Sequence, residues 1–183
     1  MATVLILVAL LGVWVAWAYN RLVRHANLAR EAWSGIDVQL KRRHDLIPNL
    51  VTIVESYAKH EHEVLEDVTR ARSRASGDDA DPERLRHENQ LSGSLKSLLV
   101  VAEDYPELLA NRSFADLHDQ LVEIEDHLQM SRRYFNGAVR DYNISVESFP
   151  SNLVARAMDF QVRRYFEIAS AVERRAPKVA INP

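Results

Sequence analysis

The chain has 183 residues, 47% hydrophobic and 27% charged, with 23 basic against 26 acidic side chains and a formal net charge of -3. This is the composition of a folded chain; it excludes a disordered tail protein, and the near-balance of charge argues against a general nucleic-acid binder. Cysteine is absent, which excludes disulfides, thiolate metal sites and cysteine nucleophiles, and five glycines and six prolines are few for a turn-rich all-β fold.

The first element is a membrane span. No side chain from Ala2 to Tyr19 is charged, and as a helix the run measures about 27 Å against a hydrocarbon core of about 30 Å. Trp14, Trp17 and Tyr19 gather at its C-terminal end, where amphipathic rings favour the headgroup level. Arg21 and Arg24 follow at once, then Arg30, Lys41, Arg42 and Arg43. The lipid bilayer is thus the first expected partner, with Trp14, Trp17, Tyr19, Arg21 and Arg24 as interface residues. The positive-inside rule expects the N-terminus outside and the body of the chain in the cytoplasm. Ala16-Trp17-Ala18 has the small-x-small form of a signal-peptide cleavage site, but the basic n-region is missing and the charges lie on the wrong side. A buried core helix is disfavoured because the run is apolar on every face.

Residues 20 to 76 carry one long helical pattern. Steps of four and three from Leu22 through Ala26, Ala29, Trp33, Ile36, Leu40, Arg43, Ile47, Leu50, Val54, Tyr57, Glu61, Val64, Val68, Ala71 and Ala75 meet polar residues only at Arg43 and Glu61. Pro48 lies within the run and predicts a kink near 44–48, not a stop, because the seam keeps its phase. Ser76-Gly77 reads as a C-cap and Gly77-Asp78-Asp79-Ala80 as a turn. Asp81-Pro82 starts a second helix to about Glu103, with Leu91, Leu95, Leu98 and Ala102 inward. Tyr105-Pro106 and Asn111-Arg112 bracket a connection that has room for a short turn of helix. Ser113-Phe114-Ala115-Asp116 resembles a capping box opening a third helix through Phe114, Leu117, Leu121, Ile124, Leu128, Phe135, Ala138 and Tyr142 to about Val146. Phe149-Pro150 breaks it, and Leu153, Val154, Ala157, Phe160 and Phe166 suggest a shorter fourth. The tail, 177–183, reads as irregular.

The expected fold is all-α: a transmembrane helix over 1–20 continuing into the long helix of an antiparallel, four-helix-bundle-like cytoplasmic domain over 21–176. On this reading residues 21–40 form a stalk outside the bundle. Its apolar stripe, Ala26, Ala29, Trp33 and Ile36, would need a partner from a second copy of the chain, making a homo-oligomer. A charge at Trp33 is then expected to weaken assembly and leave the bundle folded. For the basic cluster Lys41-Arg42-Arg43-His44, lipid contact is disfavoured by a distance of some 30 Å from the span, several Debye lengths. An internal ion pair of Arg42 or Arg43 with Asp116, Asp119 or Glu123 is expected instead.

Chemistry is hard to find. His60-Glu61-His62-Glu63 lacks the H-E-x-x-H spacing that puts two histidines on one helical face, and no E-x-x-H occurs. Glu123, Glu125, Asp126 and His127 read as surface charge. No nucleophile elbow, Walker loop or dinucleotide fingerprint is present. No catalytic residue, metal or cofactor is assigned, and the reading is non-enzymatic.

Tyr19-Asn20-Arg21-Leu22-Val23 is followed by the block from Ala32-Trp33-Ser34-Gly35-Ile36-Asp37 through Lys41-Arg42-Arg43-His44-Asp45-Leu46-Ile47-Pro48-Asn49-Leu50-Val51. Then come Tyr57-Ala58-Lys59-His60-Glu61, Tyr134-Phe135-Asn136 to Asp141-Tyr142-Asn143, Phe149-Pro150-Ser151-Asn152-Leu153, and Ala176-Pro177-Lys178-Val179. Together these closely resemble the LemA family of bacterial membrane proteins. The resemblance implies a single-pass helical bundle in the bacterial inner membrane with no established enzymatic activity and no catalytic residues to carry over. A relative among the magnetosome proteins implies membrane organisation, and proximity to membrane proteases implies an adaptor role. Residues 77–112 match no family pattern, and Met158-Asp159-Phe160-Gln161 stands where a glycine-containing stretch is expected.

Overall fold

The computed structural model describes residues 1–76 and 84–166. Among them every regular element is a helix: α1 (Ala2–Tyr57), α2 (His62–Ala75), α3 (Arg84–Ala102), α4 (Pro106–Leu109), α5 (Arg112–Glu147) and α6 (Ser151–Ala157). The predicted turn at 77–80, the Asp81-Pro82 start and the tail 177–183 lie outside the described residues. The described chain divides into two compact units, one of residues 1–43 with 122–166, the other of residues 44–121. Both α1 and α5 contribute to each.

The long helical pattern over 20–76 is interrupted at the second polar residue of its seam. α1 ends at Tyr57 and α2 begins at His62. The Glu61 amide donates to the Ala58 carbonyl at 3.1 Å, closing a tight turn. No glycine or proline causes the break. Its physical reason is the second polar seam residue: a carboxylate facing an apolar core is unfavourable, and here Glu61 instead accepts a hydrogen bond from the Tyr105 hydroxyl at 3.2 Å. Beyond the break the buried set is Leu65, Val68, Ala71 and Ala75, so Leu65 takes the place expected of Val64. Pro48, in contrast, stays inside α1.

In the unit of residues 44–121, Ile47, Leu50 and Val54 from α1 join Leu65 and Val68 from α2, and Leu91, Leu95 and Leu98 from α3, in one core. The inward residues expected of α3 are all buried. The predicted capping box is displaced by two residues: Asn111, not Ser113, caps α5, its side-chain oxygen accepting the Phe114 amide at 3.1 Å. Asparagine is as good an N-cap as serine, and its amide also donates to the Tyr57 hydroxyl at 3.0 Å. That second bond decides between them.

In the other unit, α1 and α5 meet along most of their length. Arg43 pairs with Glu125, Trp33 packs on Phe135, and Ala18 and Leu22 share a cluster with Tyr142 and Val146. The fourth helix is far shorter than the apolar spacing suggests. α6 ends at Ala157, and Asp159 takes a left-handed φ of 54°, which turns the chain. Residues 160–166 then run back as a strap without helical structure.

Candidate membrane interface

The N-terminal half of α1 is apolar and uncovered. Only 6% of its most hydropathic 18-residue window is buried, and Leu5, Leu7, Leu10 and Val13 are all more than half exposed. A soluble chain rarely leaves so large an apolar surface bare. The covered part of the helix begins at Trp14 and Val15, which lean on the cluster of Ala18, Leu22, Val154 and Ala155. Of the expected interface residues, Trp14 is half-buried, whereas Trp17, Tyr19, Arg21 and Arg24 are exposed. The Arg21 guanidinium lies 5.6 Å from the Trp17 ring centre, a cation–π contact one turn apart. Tyr19 meets the edge of Phe160 at 5.9 Å.

Below this level the structure corrects the stalk. Ala26, Ala29 and Ile36 are buried within their own chain, and Trp33 is half-buried. The partner that the apolar stripe requires is supplied by α5 and the strap: Trp33 packs edge-on against Phe135 at 5.4 Å and beside Phe166 at 6.4 Å. Ala26, Ala29 and Ile36 are thus intrachain core. The expectation failed because the returning strap has no sequence periodicity, so nothing in the pattern announced a second partner for that face.

The strap is held by side chains that sequence reading passed over. The Asn143 amide donates to the Arg163 carbonyl at 2.9 Å and accepts the Arg163 amide at 2.8 Å. Asn136 repeats the arrangement on Phe166, at 3.0 and 2.8 Å. Each asparagine thus presents one donor and one acceptor to one residue of extended backbone, as a neighbouring strand would. The spacing explains why both succeed. Seven residues of helix rise about 10.5 Å, and three residues of extended chain cover about 10 Å. The Tyr142 hydroxyl adds a bond to the Gln161 carbonyl at 2.9 Å. Arg163 donates to the Ala26 carbonyl at 3.2 Å and lies over the Tyr142 ring, and Arg132 lies over Phe166 at 4.4 Å. The available signal was the pair of asparagines at heptad spacing on one helical face, in the Tyr134–Asn143 segment.

The ion pair is also revised. Arg43 is fully buried and donates to Glu125 at 2.5 Å. It therefore pairs with Glu125, read from sequence as surface charge, where Asp116, Asp119 or Glu123 was expected. Asp119 stands 3.7 Å from His118 and Glu123 3.5 Å from His127. Arg42 is exposed. The expectation placed the partner on the same helix and missed it by two residues from Glu123. Of the other two members of the basic tetrad, Lys41 is exposed, and His44 belongs to the other unit, bridging buried Glu88 at 3.1 Å and Ser76 at 3.1 Å. His60 lies in the break and His62 opens α2, and among the described residues no three His, Asp or Glu side chains converge as a metal site would require.

The model of the LemA family matches residues 32–181. Protein LemA of Metamycoplasma hominis is 28% identical over 158 residues, which cover 85% of this chain and 71% of that protein. Magnetosome protein MamQ 2 of Paramagnetospirillum magneticum is 24% identical over 81% of this chain and 64% of its own length. Magnetosome protein MamQ of Magnetospirillum gryphiswaldense is 23% identical with the same coverage. The chain thus spans less than two thirds of the magnetosome proteins it matches. An uncovered apolar helix fits a membrane location, as does similarity to these proteins, and with the family model matched over most of its length this chain belongs to the LemA family.

Proposed function

We propose that this protein is a non-enzymatic, membrane-anchored helical scaffold. The observation that carries the reading is the division of α1: its first turns are apolar and bare, and its later turns are packed into folded helical units. Such a helix fixes the folded unit next to it to the bilayer at a set height. In this reading the span sits in the bacterial inner membrane with the N-terminus outside. Arg21, Arg24 and Arg30 hold the antiparallel, four-helix-bundle-like body in the cytoplasm. The kinship with magnetosome proteins supports a role in organising membrane. Copies associate as a homo-oligomer, with contact assigned to the span itself now that Ala26, Ala29, Trp33 and Ile36 are spoken for within the chain.

The test is alkaline carbonate extraction of membranes followed by light scattering of the detergent-solubilised full-length protein. A scaffold stays in the pellet and sizes as more than one copy. Release by carbonate would overturn the anchor, and a strict monomer would overturn self-association.

An adaptor role toward another membrane protein, such as a membrane protease, is the second reading. It is favoured by a cleft lined by Leu99, Leu109, Phe114 and His118, in which Phe114 and His118 stack with ring centres 6.2 Å apart. Substituting Leu109→Asp, at an exposed leucine, and finding every in-cell crosslink unchanged would remove it.

A further inference from the structure

The turn from α5 into α6 sits on the helix of the membrane span, not beyond its end. Val154 and Ala155 of α6, with Val146 of α5, bury themselves against Ala18 and Leu22, and Trp14, Val15 and Phe160 close over the same cluster. These contacts straddle the point where α1 changes from apolar to charged. Arg21 is its first charged residue, and Trp14 lies seven residues before it, about 10 Å along the helix toward the apolar side. A span whose aromatic belt and first arginines mark the headgroup level therefore carries this corner with it to that level and below.

The outward side chains of the corner suit that depth. Phe149 is 79% exposed, Leu153 56% and Met158 54%. In water three bare large apolar residues around one short helix would be unfavourable; at the acyl boundary they are favourable. The exposed charges among them are Glu147, Arg156 and Asp159. Arg156 has a stem long enough to reach headgroups while its base is immersed. Interfacial elements bury about 5–10 Å of their apolar face in the bilayer, which matches the depth set by Trp14.

We propose that the α5–α6 corner is a second membrane contact: Phe149, Leu153 and Met158 enter the leaflet in which the α1 span ends, so that the folded unit is held at two points and not by a single helix. This rests on the anchored reading of α1 given above. Two contacts on one rigid unit fix its tilt and rotation as well as its distance from the bilayer, which one helix alone does not.

The absence of cysteine makes the test direct. Single nitroxides are attached to the full-length variants Phe149→Cys, Leu153→Cys, Val8→Cys and Asp126→Cys in vesicles of phosphatidylethanolamine and phosphatidylglycerol. Asp126 is exposed and lies about 30 Å along α5 from Val146. Collision rates with oxygen, which concentrates in lipid, and with a water-soluble nickel chelate then report depth. The expected result is severalfold higher oxygen-to-nickel ratios at 149 and 153 than at 126, with 8 higher still. Nickel-accessible labels at 149 and 153 beside a lipid-like label at 8 would overturn the corner contact and leave the anchor standing. A nickel-accessible label at 8 would overturn the anchor itself. Labels at 149 and 153 shielded from both reagents would place protein, such as a second copy, on this surface and overturn the lipid assignment. Circular dichroism matching the parent chain confirms that each labelled variant is folded.

Discussion

Single side chains decide where the helices of this protein stop. Tyr105 donates to Glu61 across the turn between α1 and α2, and burial, then that hydrogen bond and the charge of Glu61, push its phenol above the ordinary value of 10.0. The folded state therefore keeps the proton to higher pH than the unfolded state. The contribution is fully present below about pH 10 and is lost as pH rises through the folded value. Tyr105→Phe is expected to lower the midpoint of urea unfolding at pH 7, and the gap from the parent protein should shrink above pH 10. A gap independent of pH would show that the hydroxyl is not coupled to folding. Asp159 makes the converse case. Its φ of 54° lies where glycine is at ease and other residues are not, although aspartate tolerates it better than most. The chain reverses here after α6, within the stretch where glycine was expected. Asp159→Gly is expected to be neutral or to stabilise by up to about 1 kcal/mol, and Asp159→Val to destabilise by roughly 1–2 kcal/mol, measured by thermal unfolding.

At the scale of elements, the helices were legible in the sequence and the irregular pieces were not. Heptad spacing located α1, α3 and α5 because burial of one face writes a periodic signal. The break at 58–61 and the strap at 160–166 are set by tertiary hydrogen bonds, from Tyr105 in one case and from Asn136 and Asn143 in the other, and leave no period to read. The consequence reaches a specific variant. Taken as a stalk residue, Trp33 would tolerate a charge; packed between Phe135 and Phe166, it does not. Trp33→Asp is expected to destabilise the unit of α1, α5 and the strap by about 2–4 kcal/mol, seen as lost helicity and early melting. Asn143→Ala, which leaves the Arg163 amide and carbonyl without their partner, is expected to cost about 1–3 kcal/mol and to raise protease cleavage within 160–166. Melting of Trp33→Asp like the parent would return the stripe to the surface.

For the whole molecule, the bare apolar helix was the most readable part, because about 18 uncharged residues followed by arginines satisfy few other physical descriptions. The corner at Phe149, Leu153 and Met158 was not readable, since only the folding back of α6 onto α1 brings it to the end of that stretch. Orientation is open to direct trial: Arg21→Glu with Arg24→Glu weakens the positive bias beside the span and is expected to yield a mixed topology, read with an N-terminal reporter active only outside the cytoplasm. A uniform topology would assign orientation to the more distant Arg30 and the Lys41–Arg43 cluster.

One of the two asparagine clamps also has a chemically labile neighbour. Asn136 is followed by Gly137, the neighbour that least hinders attack of the backbone on a side-chain amide, and only the helical backbone around it withholds that reaction. Were it to proceed, one nitrogen would become an oxygen, the bond to the Phe166 carbonyl would turn into a repulsion, and the ring that covers Trp33 would lose its tether. Ageing of this chain would then begin with release of a strap, not with melting of a helix.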